Sequence, residues 1–313
     1  MAHMKSYQLL IIGAGAAGVT AALAAAKTGI SRICIVERDE HIGGVLQQCR
    51  HRGFGVGYYG EEMTGEEYAS RLENDLHEAI GSGVDIELRL GTMVTKLTTD
   101  RHAFLSARGI YEEVRFERCI LATGCRETTI QSLSVAGTRP EGVYTAGEAQ
   151  RMLNIYGRDI GDDIIILGTG DIGQIMARHY LDAGKNVIAM IEQSGRAGGL
   201  ERNRRNIIEK YNIPVMLRST IIEIIGEVRI CAVRIRNLDT DEESILPCGT
   251  LVTAMGLIPE RDILTSIGLS DPVHAEKKQL PEWLNLCGNC DYVHDIVDSV
   301  SLHAEHLVAD LTV

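Results

Sequence analysis

Glycines carry the clearest chemical signal in this sequence, because their spacing is typical of turns that bind phosphate. Residues 9–18 read LLIIGAGAAG and residues 164–173 read IIILGTGDIG, so one pattern occurs twice. The repeated glycines are Gly13, Gly15 and Gly18, which recur 155 residues later as Gly168, Gly170 and Gly173. In such a turn the first glycine permits the change from strand to helix, the second lets the backbone approach a pyrophosphate, and the third packs helix on strand. Phosphates then bind at the helix N-terminus, where N–H groups and the helix dipole favour negative charge.

An acidic residue follows each glycine turn at the same distance. Glu37 comes after the apolar segment 32–36, and Glu192 comes after the apolar segment 187–191. A carboxylate at this position accepts a hydrogen bond from a ribose hydroxyl. Further glycines repeat at the same offset, namely Gly29 with Gly184 and Gly43-Gly44 with Gly198-Gly199. The sequence therefore predicts two dinucleotide sites; the alternative is two units of the same fold that bind nothing.

Composition limits the other classes to which the chain could belong. Its 313 residues correspond to about two domains of roughly 150 residues each. The net charge of −12, without any Lys/Arg cluster, disfavours nucleic acid or an anionic membrane as a partner. No apolar stretch approaches the ~18 residues that a membrane span requires. The eight scattered cysteines, several in apolar segments, favour a reducing cytoplasm over a disulfide scaffold. The initial Met1-Ala2-His3 is interpreted as a remnant of an expression tag and not as a signal peptide.

Helix and strand patterns alternate around the two glycine turns. Apolar spacing predicts helices at 66–79, 146–156, 201–211 and 294–311. Short strands are predicted at 84–90, 94–97, 102–107, 113–116, 119–122, 213–217, 221–225, 229–236 and 251–254. The candidate linkers are the turn-rich stretches 137–142 and 256–262. This alternation predicts an α/β fold.

The motifs resemble those of the flavoproteins with two dinucleotide-binding domains, the pyridine nucleotide-disulfide oxidoreductase-like family, over essentially the whole chain. The first glycine turn with Glu37 is similar to that family's FAD fingerprint, and Gly43-Gly44 is similar to its second glycine pair, beside the flavin. Ala122-Thr123-Gly124 resembles the Ala-Thr-Gly turn that closes the first FAD segment. The stretch Gly256-Leu257-Ile258-Pro259 resembles the Gly-x-x-Pro that closes the NAD unit.

One motif departs from the family pattern. Cys287-Gly288-Asn289 stands where the family usually has Ala-Gly-Asp, whose Asp holds a ribityl hydroxyl of FAD. An amide can donate or accept a hydrogen bond. We therefore expect Asn289 to keep the binding contact while the local charge drops by one.

The resemblance implies an α/β fold of two nested Rossmann-like dinucleotide-binding domains, with the NAD domain inserted into the FAD domain. The FAD-binding domain would span 1–125 and 257–313, and the inserted NAD(P)H-binding domain would span 126–256. The implied FAD-binding residues are Gly13, Gly15, Ala16, Ala17, Gly18, Glu37, Arg38, Gly43, Gly44, Val45, Val94, Ala122, Thr123, Gly124, Gly288, Asn289 and Val297. The implied NAD-binding residues are Gly168, Gly170, Asp171, Ile172, Gly173, Glu192 and Gly256.

NADH is the expected nucleotide in preference to NADPH. The carboxylate of Glu192 favours a free 2′-hydroxyl and repels a 2′-phosphate, whose charge is about −1.5 to −2. Arg196, four residues further on, would offset this effect only if its side chain turned inward.

A narrower similarity is carried by residues 43–59, GGVLQQCRHRGFGVGYY. This stretch resembles the small flavoprotein oxidoreductases that accompany glycerol-3-phosphate dehydrogenase-like proteins. The α subunits of heteromeric amino-acid dehydrogenases look similar. A further dehydrogenase subunit is therefore one of the expected partners.

The cysteines do not follow the redox-disulfide patterns of this fold. Disulfide reductases carry Cys-x4-Cys directly after the glycine pair, where this chain has only Cys49. Thioredoxin reductases carry Cys-x-x-Cys in the NAD domain, but no cysteine lies between Cys125 and Cys231. The pair Cys287 and Cys290 precedes the last helix, and we interpret it as ordinary thiols lining a cofactor loop, with a redox pair as the alternative. No metal site is predicted, although His294, His303 and His306 follow this pair.

Cys49 and His51 are the candidate catalytic residues. They follow Gly43-Gly44 closely, so we expect them near the flavin or the substrate approach, where either could polarise or protonate an acceptor. The alternative is that Cys49 packs beneath the flavin and His51 is an ordinary loop residue. Tyr58 and Tyr59 would line the same pocket.

Together these observations predict an FAD-dependent oxidoreductase in which NADH reduces FAD by hydride transfer and the reduced flavin passes electrons to an unidentified small-molecule or protein acceptor. Two alternatives stay open. The chain is an electron-transfer subunit of a heteromeric dehydrogenase of the amino-acid or glycerol-3-phosphate type, or it is a non-catalytic redox sensor that binds FAD and NAD.

Overall fold

The computed structural model describes residues 4–311, so Met1-Ala2-His3 lies outside the described residues. The chain forms two compact units. One unit comprises the chain up to Arg126 together with the chain from Ile258 onwards, and the other comprises Glu127–Leu257. We call them the split unit and the inserted unit. The predicted α/β class with one unit nested in the other is confirmed.

The elements are numbered in chain order. The α-helices are α1 (Ala16–Lys27), α2 (Gly65–Gly81), α3 (Ala146–Asn154), α4 (Asp171–Asp182), α5 (Glu201–Asn203) and α6 (Val297–Leu311). The strands are β1 (Ser6–Ile12), β2 (Ile33–Val36), β3 (Arg52–Phe54), β4 (Met63–Thr64), β5 (Ile86–Arg89), β6 (Met93–Leu97), β7 (His102–Ala107), β8 (Ile110–Leu121), β9 (Cys125–Glu127), β10 (Ala136–Gly137), β11 (Val143–Thr145), β12 (Asp163–Leu167), β13 (Asn186–Ile191), β14 (Val215–Met216), β15 (Ser219–Gly226), β16 (Ile230–Asn237), β17 (Glu243–Pro247), β18 (Thr250–Thr253), β19 (Leu257–Pro259) and β20 (Leu284–Leu286). Short 3₁₀ segments are Gly44–Gln48, Ile130–Leu133, Asp262–Ile267, Lys277–Gln279 and Gly288–Cys290.

A seven-stranded sheet forms the centre of the split unit. Its order is β5-β2-β1-β8-β7-β6, and β20 pairs with the end of β8. β1, β2, β5 and β20 run parallel with the second half of β8, whereas β7 is antiparallel to both of its neighbours, β8 and β6. Apolar residues of α1, α2 and α6 pack together over the sheet, for example Ala21, Leu72 and Ala304.

Two sheets form the inserted unit. The parallel sheet has the order β11-β18-β12-β13-β14, and a second sheet has the order β10-β15-β16-β17. Strands that are buried on both faces are apolar throughout. This explains the isoleucine run of β12, where Ile164, Ile165 and Ile166 are completely buried.

The sequence repeat corresponds to two copies of one structural motif. In the split unit β1, α1 and β2 form a parallel strand–helix–strand unit, and β12, α4 and β13 do the same in the inserted unit. Each glycine turn joins the first strand to the helix, which places it at the carboxyl edge of a parallel sheet. Ligands of open α/β sheets bind at this edge.

Four predicted elements, two strands and two helices, differ from the structure. The strands predicted at 113–116 and 119–122 are one strand, β8, because Glu117 and Arg118 are exposed within a continuous ladder. The helix predicted at 201–211 is the short α5 followed by a π-helical segment, Arg204–Glu209. The last helix begins at Val297 and not at His294, whose backbone N–H donates to Asn289 Oδ1 in the preceding loop. Among residues 4–311, no helix has the length and apolar character needed to cross a bilayer.

Candidate dinucleotide-binding sites

The three glycines of the first turn have different surroundings: two are packed against the backbone and one borders open space. A Cβ on Gly13 would lie 2.4 Å from the carbonyl oxygen of Ala122, and one on Gly18 would lie 1.8 Å from the carbonyl oxygen of Gly13. A Cβ on Gly15 would meet no atom of the described chain within 4 Å. Gly13 and Gly18 are therefore required by packing, whereas Gly15 borders open space, as a ligand-binding position would.

Gly15 is also the N-cap of α1, and no side chain of residues 4–311 caps this helix end. The first N–H groups of a helix have no partner within the helix and bind anions readily. The turn therefore fits a pyrophosphate in both shape and charge.

Glu37 is a buried carboxylate, 7% exposed, held by main-chain donors. The Ala14 N–H donates to its Oε2 at 2.7 Å, and the Asp39 N–H donates to its Oε1 at 2.9 Å. A carboxylate has about four acceptor positions, so about two remain for a ligand. This arrangement fits a ribose with two hydroxyl groups.

The Gly43-Gly44 pair contacts the same turn. Gly43 donates its N–H to the Ala14 carbonyl at 2.8 Å, and both glycines have positive φ, 104° and 55°. A Cβ on Gly43 would lie 2.6 Å from the Ala69 Cβ, and one on Gly44 would lie 3.5 Å from the Gly15 Cα. The next residue, Val45, is 66% exposed. The pair thus brings its loop against the glycine turn. A larger residue would clash at Gly43, whereas at Gly44 the positive φ rather than the space favours glycine.

Ala122-Thr123-Gly124 follows β8 directly beside the turn. The Thr123 hydroxyl donates to the Glu260 carbonyl at 2.5 Å, and Gly124 has φ +73°. In the inserted unit Ala254 and Gly256 follow β18 in the same way. In both units a similar tripeptide, Ala-Thr-Gly or Ala-Met-Gly, therefore follows the strand that lies beside the glycine turn.

Gly288 and Asn289 lie in the loop before α6. A Cβ on Gly288 would approach the Ala17 Cβ to 2.7 Å, so this loop touches the start of α1. The Asn289 Nδ2 is 3.7 Å from the Cys125 Sγ, and its Oδ1 accepts from the His294 N–H. The amide of Asn289 is therefore oriented by its neighbours, as a binding residue needs to be.

The sequence analysis missed Asp298, in the first turn of α6. Its carboxylate is 4% exposed and accepts the Gly55 N–H at 3.0 Å and the Gly57 N–H at 2.8 Å. This contact fixes the glycine-rich loop at residues 53–60 against the last helix. An aspartate in the first turn is an ordinary signal for a helix start, but nothing in its spacing identifies the distant loop.

The other predicted FAD residues have varied surroundings. Arg38 is exposed, and Val297 is half-buried at the start of α6. Val94 on β6 is 7% exposed and packs in an apolar cluster with Leu97 and Leu105. Ala16 and Ala17 are buried in the first turn of α1.

The second glycine turn reproduces the first. A Cβ on Gly168 would lie 2.2 Å from the Ala254 carbonyl oxygen, and one on Gly173 would lie 2.5 Å from the Gly168 carbonyl oxygen. A Cβ on Gly170 would meet nothing within 4 Å in the described part of the chain. Gly170 is the N-cap of α4, again without a capping side chain among residues 4–311. This turn fits a second pyrophosphate.

Glu192 is held by three donors. The Thr169 hydroxyl and N–H donate to its Oε2 at 2.6 and 3.2 Å, and the Ser194 N–H donates to its Oε1 at 2.9 Å. Burial alone would raise the pKa of Glu192, but the hydrogen bonds from Thr169 and Ser194 outweigh it and lower the pKa below the usual range. The carboxylate is therefore ionised at neutral pH.

A cavity of about 640 Å³ lies beside the second glycine turn. Gly198, Gly199 and Leu217 line it, together with the charged side chains of Arg196 and of the ion pair Arg204–Glu201. Its size is within the range of small-molecule sites. At the turn itself Ile172 is 46% exposed, and the Asp171 carboxylate accepts the Leu200 N–H at 2.8 Å.

Cys49 and His51 have different environments. Burial, together with the nearby Glu66 carboxylate, raises the pKa of the Cys49 thiol to about 12. Its Sγ lies 3.4 Å from the Val45 carbonyl oxygen. His51 is half-buried with its ring 4.9 Å from that of Phe54. Cys49 is therefore a protonated thiol at neutral pH, and the His51 Nδ1 lies 3.1 Å from the Arg52 carbonyl oxygen.

Cys287 and Cys290 are both completely buried, and neither forms a disulfide within residues 4–311. Burial raises the pKa of both thiols, that of Cys290 to about 11. Tyr58 and Tyr59 hydrogen-bond to Glu305 and Asp75, at 2.8 and 2.9 Å. Their hydroxyls are thus engaged within the split unit.

The family follows from comparison with known proteins. The model of the family described as pyridine nucleotide-disulphide oxidoreductase matches residues 7–272. The chain belongs to this family. It is therefore an FAD-dependent oxidoreductase of a family that binds FAD and a pyridine nucleotide.

Individual relatives are distant. An opine oxidase subunit of Rhizobium meliloti is 22% identical over 84% of this chain and 52% of its own length. Hydrogen cyanide synthase subunit HcnB of Pseudomonas aeruginosa is 24% identical over 83% of this chain and 59% of its own length. The chain thus spans just over half of these relatives. The crystal structure of T. acidophilum thioredoxin reductase has a TM-score of 0.77 at 19% identity and covers 98% of both chains, which shows a shared fold.

Proposed function

We propose that the chain uses NADH as a hydride donor and transfers two electrons through FAD to an acceptor that is still unidentified. The repeated site geometry carries this proposal. Each glycine turn has open space at its middle glycine and an uncapped helix N-terminus. Each turn is also followed by a carboxylate held on main-chain amides. We assign FAD to the split unit because its motifs match the FAD pattern, and NADH to the inserted unit.

The residues proposed to bind FAD are Gly13, Gly15, Ala16, Ala17, Gly18, Glu37, Arg38, Gly43, Gly44, Val45, Val94, Ala122, Thr123, Gly124, Gly288, Asn289 and Val297. Those proposed to bind NADH are Gly168, Gly170, Asp171, Ile172, Gly173, Glu192 and Gly256. The N-termini of α1 and α4 would stabilise the two pyrophosphates, and Glu37 and Glu192 would accept ribose hydroxyls.

FAD, held by the residues named above, would supply the redox chemistry: two-electron exchange with the nicotinamide and with the acceptor. The chain binds and orients both dinucleotides and controls protons nearby. We propose that Cys49, as a neutral thiol, donates a hydrogen bond to the electron acceptor and so polarises it. We also propose that His51 gives a proton to this acceptor or takes one from it.

A second candidate function is that of an electron-transfer subunit in a heteromeric dehydrogenase. The names of two relatives, the opine oxidase subunit and hydrogen cyanide synthase subunit HcnB, describe subunits of larger enzymes. In this case the final acceptor or the substrate-oxidising site would belong to a partner chain.

An anaerobic titration separates these candidates. The visible absorption of the flavin is followed while NADH and NADPH are added in parallel to the purified protein. Rapid bleaching with NADH, and much less with NADPH, is the expected result. A flavin that stays oxidised with both nucleotides would refute the NADH-linked function and favour the subunit candidate. Glu192→Ala should reduce the preference for NADH without changing the flavin content, whereas loss of flavin would reverse the assignment of the two units.

A further inference from the structure

We infer that Thr169 determines the preference for NADH over NADPH by holding the Glu192 carboxylate in its binding orientation. This inference rests on the proposed function and deepens its nucleotide-binding part. The Thr169 hydroxyl is bonded to Glu192 and to Gly198, two residues of the candidate site, and would act through them. Thr169 is therefore a positioning residue.

A short chain of hydrogen bonds connects Thr169 to both sides of the candidate site. The Gly198 N–H donates to the Thr169 Oγ1 at 2.8 Å, and the Thr169 hydroxyl donates to the Glu192 Oε2 at 2.6 Å. Thr169 is completely buried, so water does not compete for its hydroxyl. Because the hydroxyl oxygen accepts from Gly198, its proton is available for Glu192. The loop at 195–199 and the carboxylate are thereby fixed to each other.

The first copy of the repeat shows what this hydroxyl adds. Ala14 occupies the corresponding position in the split unit and has no hydroxyl. There the Ala14 N–H donates strongly to Glu37, at 2.7 Å, whereas the Thr169 N–H is 3.2 Å from Glu192. In the inserted unit the hydroxyl thus replaces the amide as the close donor to Oε2.

The number of free acceptor positions on the Glu192 carboxylate then determines which ligand fits. Three donors occupy about three of the four acceptor positions of Glu192, which leaves about one for a ribose hydroxyl. A 2′-phosphate brings a charge of about −1.5 to −2 against this carboxylate. The hydrogen bond from Thr169 keeps the Glu192 carboxylate from turning away from the negative charge of a 2′-phosphate.

Cations that could take a 2′-phosphate are present close by. Arg196 is exposed and lines the cavity, and the Arg218 guanidinium packs against Gly195, 3.8 Å from Asp239. Without the Thr169 hydroxyl, Glu192 would keep its two main-chain donors but lose its closest one, so its carboxylate would be held less firmly where a 2′-phosphate must bind. Loss of the Thr169 hydroxyl should therefore favour NADPH relative to NADH.

The experiment compares Thr169→Val, which keeps the side-chain shape, with Thr169→Ser, which keeps the hydroxyl. Thr169→Ala is the second disruptive variant, and Ala14 in the first copy shows that this turn folds with alanine. Thr250→Val is the matched control, because Thr250 is a completely buried threonine at the opposite end of the same sheet. The flavin-loaded proteins are titrated calorimetrically with NAD⁺ and NADP⁺, which cannot reduce the flavin.

We expect the ratio of the NADP⁺ to the NAD⁺ dissociation constant to fall roughly 3- to 10-fold in Thr169→Val and Thr169→Ala, about the contribution of one hydrogen bond. Thr169→Ser and Thr250→Val should keep the wild-type ratio. An unchanged ratio in both disruptive variants, with wild-type preference for NAD⁺ intact, would overturn this inference alone. A wild-type protein that binds neither nucleotide would overturn the proposed function as well.

Discussion

The sharpest test of the first site is Gly15→Ala, because the structure predicts a small effect on folding and a large effect on flavin binding. Gly15 has φ −74° and ψ −171°, an extended conformation that alanine adopts without strain, and its Cβ would meet no described atom within 4 Å. A glycine-to-alanine change at such a position stabilises a protein by about 0.4–1 kcal/mol, mainly by restricting the unfolded chain. Alanine is a poorer N-cap than glycine, which opposes this gain. The protein without flavin should therefore unfold close to the wild-type temperature.

Flavin binding should weaken in the same variant. If the open space at Gly15 is where the pyrophosphate approaches the backbone, the added methyl group overpacks the complex, which costs about 1–3 kcal/mol. That corresponds to a dissociation constant roughly 5- to 150-fold higher. The assay is an FAD titration of flavin-depleted protein, followed by quenching of flavin fluorescence, with thermal unfolding of the same samples.

Gly81→Ala is the matched control, since Gly81 ends α2 and its Cβ would also meet no described atom within 4 Å. It should leave flavin affinity unchanged. Wild-type flavin affinity in Gly15→Ala would refute the assignment of the pyrophosphate to this turn. A strongly lowered unfolding temperature of the flavin-free variant, beyond the small cost of an alanine N-cap, would show instead that Gly15 is a packing position.

Three further predictions concern other positions. Gly170→Ala should lower the affinity for NAD⁺ roughly 5- to 150-fold, because the added methyl group lies where the pyrophosphate would approach the backbone. Calorimetry measures this affinity, and the flavin content, measured by absorption, should not change. Loss of flavin would contradict the assignment of the two turns. Because the pKa of Cys49 is raised to about 12, its thiolate forms only at strongly alkaline pH, and iodoacetamide at pH 8 should label exposed Cys231 well before Cys49 in peptide mass spectra. Asp298→Ala should reduce the free energy of unfolding by about 1–3 kcal/mol, because it leaves the buried Gly55 N–H without its acceptor. Urea denaturation measures this, and Asp298→Asn, which keeps one acceptor, should lose less.

The sequence predicts the positions whose role depends on local geometry. The glycines at 13, 15 and 18 and the carboxylate of Glu37 act within one strand–helix–strand unit, so their spacing alone defines their contacts. The duplication strengthened this prediction, because chance would not repeat seven aligned positions without a gap.

Contacts between distant parts of the chain could not be predicted in this way. Asp298 binds a loop more than 240 residues earlier, and no local pattern reveals which partner a first-turn aspartate has. The Thr169 hydroxyl was missed for another reason. It occupies a position that the glycine pattern leaves variable, and its importance is visible only from the distances to Gly198 and Glu192.

The division of the split unit has a consequence for synthesis on the ribosome. α1 and α6 pack together through Thr20 and Ser301, and β20 completes the sheet beside β8, yet α6 and β20 follow the whole inserted unit in the chain. At roughly 5–20 residues per second, translation of Glu127–Leu257 delays these elements by on the order of ten seconds. During this interval the apolar face of α1 is not yet covered by α6. The inserted unit is continuous in sequence, so all of its strands are synthesised before α6. Nascent chains should therefore acquire the fold of the second nucleotide site before that of the first, and chaperones should engage the exposed face of α1.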